Sequence, residues 1–315
     1  MADYLHNSIP GLRYGQKILP SEILGAEGSI FGNTYYVDSV NGSNLNPGTT
    51  PDKAFATVDY AIGIATANQG DVIFVREGHA ETVTATSIAV DKAGVTIVCL
   101  GRGAARPTFT FSTADATITV SAANVTWIGG LFIGNFDNVA SAFTVTTAKD
   151  FRLEGASFVD NADDLHFMSI VTTNATNNAQ DGLTIVGNEW YGLALAPLAF
   201  ISILANNNHV LIADNMVNMA ATNDVGHFVT IAAKVVLNFR CLRNILRVTG
   251  ATNATAGIFL TGSSTTNNGV VAYNLVDSLD VTTPLLATAG TKLSFFENYY
   301  PVAADKNGAL LPANS

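Results

Sequence analysis

Apolar and polar positions along this chain fall into a recurring five-residue phrase: apolar, variable, Asn, then two mostly apolar residues. It reads Val186-Gly187-Asn188-Glu189-Trp190, Ala213-Asp214-Asn215-Met216-Val217, Leu242-Arg243-Asn244-Ile245-Leu246, Ala272-Tyr273-Asn274-Leu275-Val276 and Phe296-Glu297-Asn298-Tyr299-Tyr300. The asparagines are separated by 215−188 = 27, 244−215 = 29, 274−244 = 30 and 298−274 = 24 residues. A period in that range marks a repeat architecture. A second phrase keeps step with the first. It is a short alternating stretch of Val, Ile, Phe and Thr with turn residues on both sides, at 118–120, 143–145, 168–171, 200–203, 228–231, 258–261 and 285–288. That pattern predicts strands.

One such strand pair cannot bury its apolar face alone, whereas stacked repeats bury a continuous core. Coils of this length match three strands each, two of them clear in the pattern. The expected fold is all-β: a single-stranded, right-handed parallel β-helix solenoid. Eight or nine coils at roughly 4.8 Å each would make a rod of about 40 Å. Asn188, Asn215, Asn244, Asn274 and Asn298 would form a structural ladder at equivalent tight turns. There Asn tolerates the left-handed conformation and can bond to the next Asn in the stack. Upstream, Ile128-Gly129-Gly130-Leu131-Phe132 and Glu154-Gly155-Ala156-Ser157-Phe158 occupy the same frame, with Gly130 and Ala156 in place of Asn. The step from Ala156 to Asn188 is 188−156 = 32, which predicts a longer loop near 172–182.

The chain before the coils divides in two. Residues 1–32 lack a period but carry Tyr4, Leu5, Ile9, Leu12, Tyr14, Ile18, Leu19, Ile23 and Leu24, too much apolar material for a segment meant to stay in water. They read as an extended arm that contacts a partner. Residues 33–71 read as a cap: a strand near Tyr35-Tyr36-Val37, tight turns, then a helix over 52–66. Its apolar face would be Ala54, Phe55, Val58, Ala61, Ile62 and Ala65, with Asp52 or Thr50 as N-cap. Such a helix would cover the open end of the core, since an exposed end coil is a sticky edge. The β-helix then spans 72–300 and a tail 301–315.

Composition narrows the function. Fifteen basic against 25 acidic residues give a net charge of −10, and only 13% of residues are charged. An acidic chain with no Lys/Arg block argues against nucleic acid as partner. No apolar run approaches the roughly 18 residues of a spanning helix, so no membrane partner is expected. Met1 to Leu12 lacks a secretory signal pattern. Cys99 and Cys241 fall about five coils apart, well beyond the about 7 Å that a disulfide tolerates between Cα atoms. Both read as free, buried apolar fillers.

The run Tyr36-Val37-Asp38-Ser39, Asn41-Gly42-Ser43, Gly48-Thr49-Thr50-Pro51, Ala54-Phe55-Ala56-Thr57, Gly70-Asp71-Val72-Ile73 and Gly78-His79-Ala80-Glu81 resembles the opening of pectate-lyase-like β-helix proteins, in particular those of tailed-bacteriophage virions. Asp91-Lys92-Ala93-Gly94-Val95-Thr96-Ile97 to Gly101, and Arg106-Pro107-Thr108-Phe109-Thr110-Phe111, are similar to the same group. The resemblance covers about 35–160 by motif and the rest by architecture. It implies a homotrimer whose segment before the helix attaches to the particle.

Candidate chemistry is thin. Glycoside hydrolysis needs two carboxyl groups about 5 to 9.5 Å apart, and a lyase would need carboxylates for Ca²⁺ plus a base. The best stretch, Asp160-Asn161-Ala162-Asp163-Asp164-Leu165-His166, reads as a solvated acidic turn that the neighbouring coils do not reinforce. Asp214 shares a frame position with Arg243, which suggests a cross-coil salt bridge. His79 belongs to the turn motif, and at least one of Trp190 and Tyr191 should point into the core. No catalytic, cofactor or metal residues are assigned. The expectation is a non-enzymatic protein of the virion surface: a head (capsid) decoration or projection that contacts itself and the major capsid protein or another virion protein. A tail-spike polysaccharide depolymerase and a non-catalytic glycan-binding adhesin are the alternatives.

Overall fold

The computed structural model describes residues 32–85, 87–193, 198–219, 227–248, 260–263, 266–278 and 292–299. Three parallel sheets run along one axis, as a parallel β-helix requires. Among the described residues the first sheet has ten strands: Thr34–Val37, Val72–Val75, Thr96–Cys99, Thr126–Ile128, Arg152–Glu154, Thr184–Val186, Leu211–Ala213, Phe239–Leu242, Asn268–Ala272 and Lys292–Phe296. The second stacks Ala80–Val83, Thr108–Phe111, Leu131–Gly134, Ser157–Asp160, Glu189–Gly192, Met216–Met219, Ile245–Val248 and Leu275–Ser278. The third stacks Ile88–Val90, Ile118–Val120, Phe143–Val145, Ser169–Thr173, Ala199–Ile203, His227–Lys234 and Leu260–Ser263. The alternating phrase is thus the third sheet, and the Asn phrase is the corner joining the first sheet to the second. Residues 1–31 of the arm, the strand expected at 285–288 and the tail 301–315 lie outside the described residues.

Register explains the core. Phe109, Phe132, Phe158 and Trp190 are consecutive partners on the second sheet and all are buried. The Phe109–Phe132 and Phe132–Phe158 rings stack with centroids 5.2 and 4.9 Å apart, close to the strand spacing of about 4.8 Å. Trp127, Phe143 and Phe167 meet this column edge to face, the geometry aromatic pairs favour. Gly130 stands where later coils carry Asn because that room is taken: a Cβ there would meet the Phe132 ring at 3.1 Å and Cys99 Sγ at 3.3 Å. The longer loop is present after Ser169–Thr173, where Gln180 Nε2 donates to the Thr146 carbonyl and to Asn174 Oδ1.

The helix at the N-terminal end is shorter than the apolar spacing predicts. It spans Val58–Ile64, preceded by a 3-10 turn at Pro51–Lys53. Its N-cap is Thr57, whose side chain accepts from the Tyr60 N–H, and neither Thr50 nor Asp52. Phe55 cannot be helical because its N–H donates to Tyr36 O and its carbonyl accepts from Asp38 N. The six apolar residues are buried all the same, since the extended residues and the helix pack on one side. Asp59 Oδ1 accepts the Ala89 N–H at 2.9 Å, so a carboxylate satisfies an amide of the outermost strand of the third sheet. Thr34–Val37, expected within the cap, pairs residue for residue with Val72–Val75 and is the first rung of the first sheet. No helix of the described residues is long and apolar enough to cross a membrane.

Candidate functional site

The Asn ladder is the most regular polar feature of the molecule. Asn188, Asn215, Asn244, Asn274 and Asn298 are all buried. Each of the first four donates both its backbone N–H and its Nδ2 to the Oδ1 of the Asn one coil on. The pairs are 3.0 and 3.0 Å for Asn188, 3.0 and 2.9 Å for Asn215, 2.9 and 3.0 Å for Asn244, and 3.1 and 2.8 Å for Asn274. The second hydrogen of each Nδ2 goes to a first-sheet carbonyl: Leu153, Ile185, Ile212 and Cys241, and Val271 for Asn298. The Ala156 N–H donates to Asn188 Oδ1, which places Ala156 in the same frame as its spacing predicts.

One detail differs from expectation. The left-handed residue at each corner is the one before the Asn: Gly155, Gly187, Asp214, Arg243, Tyr273 and Glu297 have φ between 50° and 66°. That residue points outward and tolerates variation in side chain, while the Asn must turn inward to reach its neighbour. Asp214 and Arg243 consequently project side by side, and both guanidinium contacts are 2.7 Å. The Arg243 guanidinium holds the Asp214 carboxyl below the usual range. Arg247 pairs instead with Asp277 on the second sheet, and Arg240 lies outward on the first. The three arginines thus stand on different surfaces.

The corner between the third and first sheets holds a second amide set that the sequence reading missed. Asn208 Oδ1 accepts from Asn238 Nδ2, Asn268 Oδ1 from the Asn238 N–H, and Asp181 Oδ1 from the Asn208 N–H, at 2.7–2.8 Å. Asn206 Oδ1 accepts from Val235 N and Asn267 Oδ1 from Val236 N. A signal was present, since 238−208 and 268−238 are both 30.

The acidic turn is divided. Asp163 and Asp164 are exposed, as expected of a solvated turn, but Asp160 is buried. It ends its strand with the carboxylate turned inward. Oδ1 accepts from Phe167 N at 3.0 Å and Trp190 Nε1 at 3.4 Å, and Oδ2 accepts from Leu193 N at 2.8 Å. Burial pushes the Asp160 carboxyl up, against the opposing effect of these donors. Asp160 therefore ties its own loop to the next coil. His166 is buried beside it and reaches Asn138 Oδ1 through Nε2 at 3.1 Å. Trp190 is the inward member of its pair and Tyr191 the exposed one.

The N-terminal motif residues form a latch. Asp38 accepts from Val40 N, Asn41 N and Arg76 Nη1. Burial raises the Asp38 carboxyl, but the Val40 and Asn41 amides and the Arg76 charge outweigh it and hold it low. Asp71 Oδ1 takes Asn33 N and Oδ2 takes Thr66 N, at 2.6 and 2.7 Å. His79 Nδ1 accepts the Ser39 N–H at 3.0 Å, so the ring proton sits on Nε2 and is donated to Glu81 Oε2, also at 3.0 Å. Glu81 Oε2 in turn accepts Val58 N at the helix start. Gly48 has a φ of 72° and faces the Phe55 ring, where a Cβ has no room. Every one of these contacts fastens a turn.

Cys99 and Cys241 are free and lie on the first sheet five strands apart. Cys241 is fully buried and Cys99 partly so, because Cys99 ends its strand beside an exposed turn, and burial pushes both thiols up. Among the described residues no group of three or more His, Cys, Asp or Glu side chains could hold a metal ion.

No family model and no curated protein matches this chain. Among solved structures it is similar to a rhamnogalacturonan lyase, at 14% identity over 90% of each chain with a TM-score of 0.34. It is also similar to a GH136 lacto-N-biosidase from Eubacterium ramulus, at 8% identity over 85% of this chain and 67% of that one, with a TM-score of 0.31.

Proposed function

We propose that this chain is a non-enzymatic structural protein of a bacteriophage particle, a rigid projection or head decoration anchored through residues 1–32. The observation that carries this reading is how the candidate side chains are used. Asp160, His79, Asp38 and Asp71 each bond to backbone amides of turns or neighbouring coils. A carboxylate or imidazole committed to such donors fixes geometry rather than moving protons. The resemblance of 35–160 to phage β-helix openings supplies the particle, and the latch it encodes sits where the arm enters the body. Self-association and attachment to the major capsid protein or another virion protein belong to the same proposal.

The test mixes full-length protein, and a chain lacking residues 1–30, with particles that lack this component, and sediments them. The full-length chain co-sediments and the truncated one, still folded by circular dichroism, stays in the supernatant. Equal co-sedimentation would remove the arm as anchor. Release of oligosaccharides from host capsular polysaccharide by the full-length protein would replace the proposal with a depolymerase.

A further inference from the structure

The helix Val58–Ile64 is apolar on both of its faces. Val58, Ala61 and Ile62 turn inward and are buried. Tyr60, Gly63 and Ile64 stand at the i, i+3, i+4 spacing of one helix face. They turn outward and are exposed, Tyr60 at 38% and Ile64 at 45%. Asp59, the one charged residue of the helix, is bonded to the Ala89 N–H. A surface helix keeps its outer face polar, and a helix that is apolar all round is covered all round. Gly63 points the same way. Only proline suits a helix interior less than glycine. No left-handed φ requires Gly63, and among the described residues no atom lies within 4 Å of a Cβ built there. Between the Tyr60 and Ile64 side chains it makes a floor that another backbone can approach closely.

We propose that this groove is the seat of the chain's own Ser29-Ile30-Phe31, the last stretch of the N-terminal arm. This deepens the proposed function, on whose anchoring arm it rests. It divides the arm into an inner strap held on the body and an outer part, residues 1–28, left for the particle.

The point of entry selects this occupant. Gly32 is pressed against Gly70 and Asp71, where no Cβ fits. One carboxylate ties the entry to the end of the helix. Asp71 Oδ1 accepts Asn33 N at 2.6 Å, and its Oδ2 accepts Thr66 N at 2.7 Å, just past the C-cap Ala65. The arm therefore starts at the rim of the groove. The seven-residue helix is about 10 Å long. An extended chain advances roughly 3.3 Å per residue, so the residues immediately before Gly32 reach from Ile64 to Tyr60. Ser29-Ile30-Phe31 is uncharged, as are Tyr60, Gly63 and Ile64. Any other occupant must find the groove from solution, whereas this one is tethered beside it at high effective concentration.

The experiment compares four proteins by melting temperature and amide hydrogen exchange: the full chain, a chain lacking residues 1–31, and each of these with Gly63→Gln. Glutamine favours a helix over glycine, so the substitution is expected to raise the melting temperature of the truncated chain. In the full chain it fills the groove, and the melting temperature is expected to fall. Amides of 29–31 are expected to exchange about tenfold more slowly in the full chain than in its Gly63→Gln variant. An equal rise in both backgrounds, or exchange of 29–31 at the rate of an unstructured peptide, overturns the proposal. With 29–31 unprotected in the free chain, loss of particle co-sedimentation in Gly63→Gln would assign the groove to a virion protein instead. Disulfide trapping of Ser29→Cys with Ile64→Cys, in a mixture of isotopically light and heavy chains, identifies the owner of the segment. Bridged peptides of one isotope are expected. Mixed peptides would assign the groove to another copy's arm. A bridge forming no faster than one from Ser29→Cys to Gln69→Cys, exposed beside the entry, would mean tethering without a seat. Either result overturns the proposal. Exchange, melting and trapping are read on the free protein, so their failure leaves particle attachment to the co-sedimentation.

Discussion

Asp160 shows how one side chain can look like chemistry and act as a strut. Its two oxygens face three donors: Phe167 N, Trp190 Nε1 and Leu193 N. In Asp160→Asn, the Oδ1 keeps one side, but the new Nδ2 meets the Leu193 N–H donor to donor. The expected cost is about 1–3 kcal/mol, the price of one unsatisfied buried group, while Asp163→Asn and Asp164→Asn stay within about 0.5 kcal/mol. Urea titrations of the three variants check this. The same titrations over pH carry a sign. Burial raises the Asp160 carboxyl above its ordinary 3.8 in the fold, so the folded state holds the proton to higher pH than the unfolded one. Stability contributed at this site therefore falls as pH rises from 3.8 toward the raised value, and is flat above it. Wild type should lose stability relative to Asp160→Asn across that window. Asp214, held low by Arg243, works in the opposite direction and weakly, because its pair is exposed.

At the scale of the element, the Asn ladder links five coils through its amides. Asn244→Leu removes the bonds that Nδ2 donates to the Ile212 carbonyl, Asn274 Oδ1 and, at 3.4 Å, Cys241 Sγ, and two accepted by Oδ1. It leaves the Asn215 N–H and Nδ2, the Ile212 carbonyl and the Asn274 Oδ1 buried without those partners. The expected loss is roughly 3–5 kcal/mol, above the figure for a single buried bond, read by chemical denaturation. This ladder was legible in the sequence because each Asn sits between two strands in one frame. The third sheet was legible for a similar reason: one face inward and one hydroxyl face outward gives clean alternation. Beyond its first strands, such as Thr34–Val37 and Val72–Val75, the first sheet was less legible, because strands like Thr184-Ile185-Val186 carry apolar residues on both faces and the period of two fades. The Asn208–Asn238–Asn268 corner was passed over because its neighbours carry no shared apolar frame. The helix was overextended because Ala54 and Phe55 are buried from an extended backbone, which helical spacing cannot distinguish. As for the candidate site, an Asp in an acidic turn gives no sign in sequence of whether it points to water, and Asp160 and Asp163 differ only in the fold.

At the scale of the whole molecule, most contacts of a coil reach only the coils on either side, with Phe111–Phe167 and Arg106–Ser157 reaching one coil further, so damage in the ladder half should stay local. In Asn244→Leu, amide hydrogen exchange should speed up across 211–217 and 268–276. It should remain at the wild-type rate across 108–133, where stacked rings rather than amides hold the coils. A uniform rise along the rod would mean that the two halves unfold as one unit. Built this way, the rod has a length that is free to vary. The ladder is directional: every corner offers one oxygen backward and two N–H groups forward. A duplicated stretch such as 216–244 would present to its original the same donors and acceptors that the original presents to its successor. Insertion of a whole coil would then add one rung without disturbing either end, whereas insertion of half a coil would break every corner beyond it. Lineages of this protein can therefore change reach in steps of one rung while the latch at one end and the outer faces stay as they are.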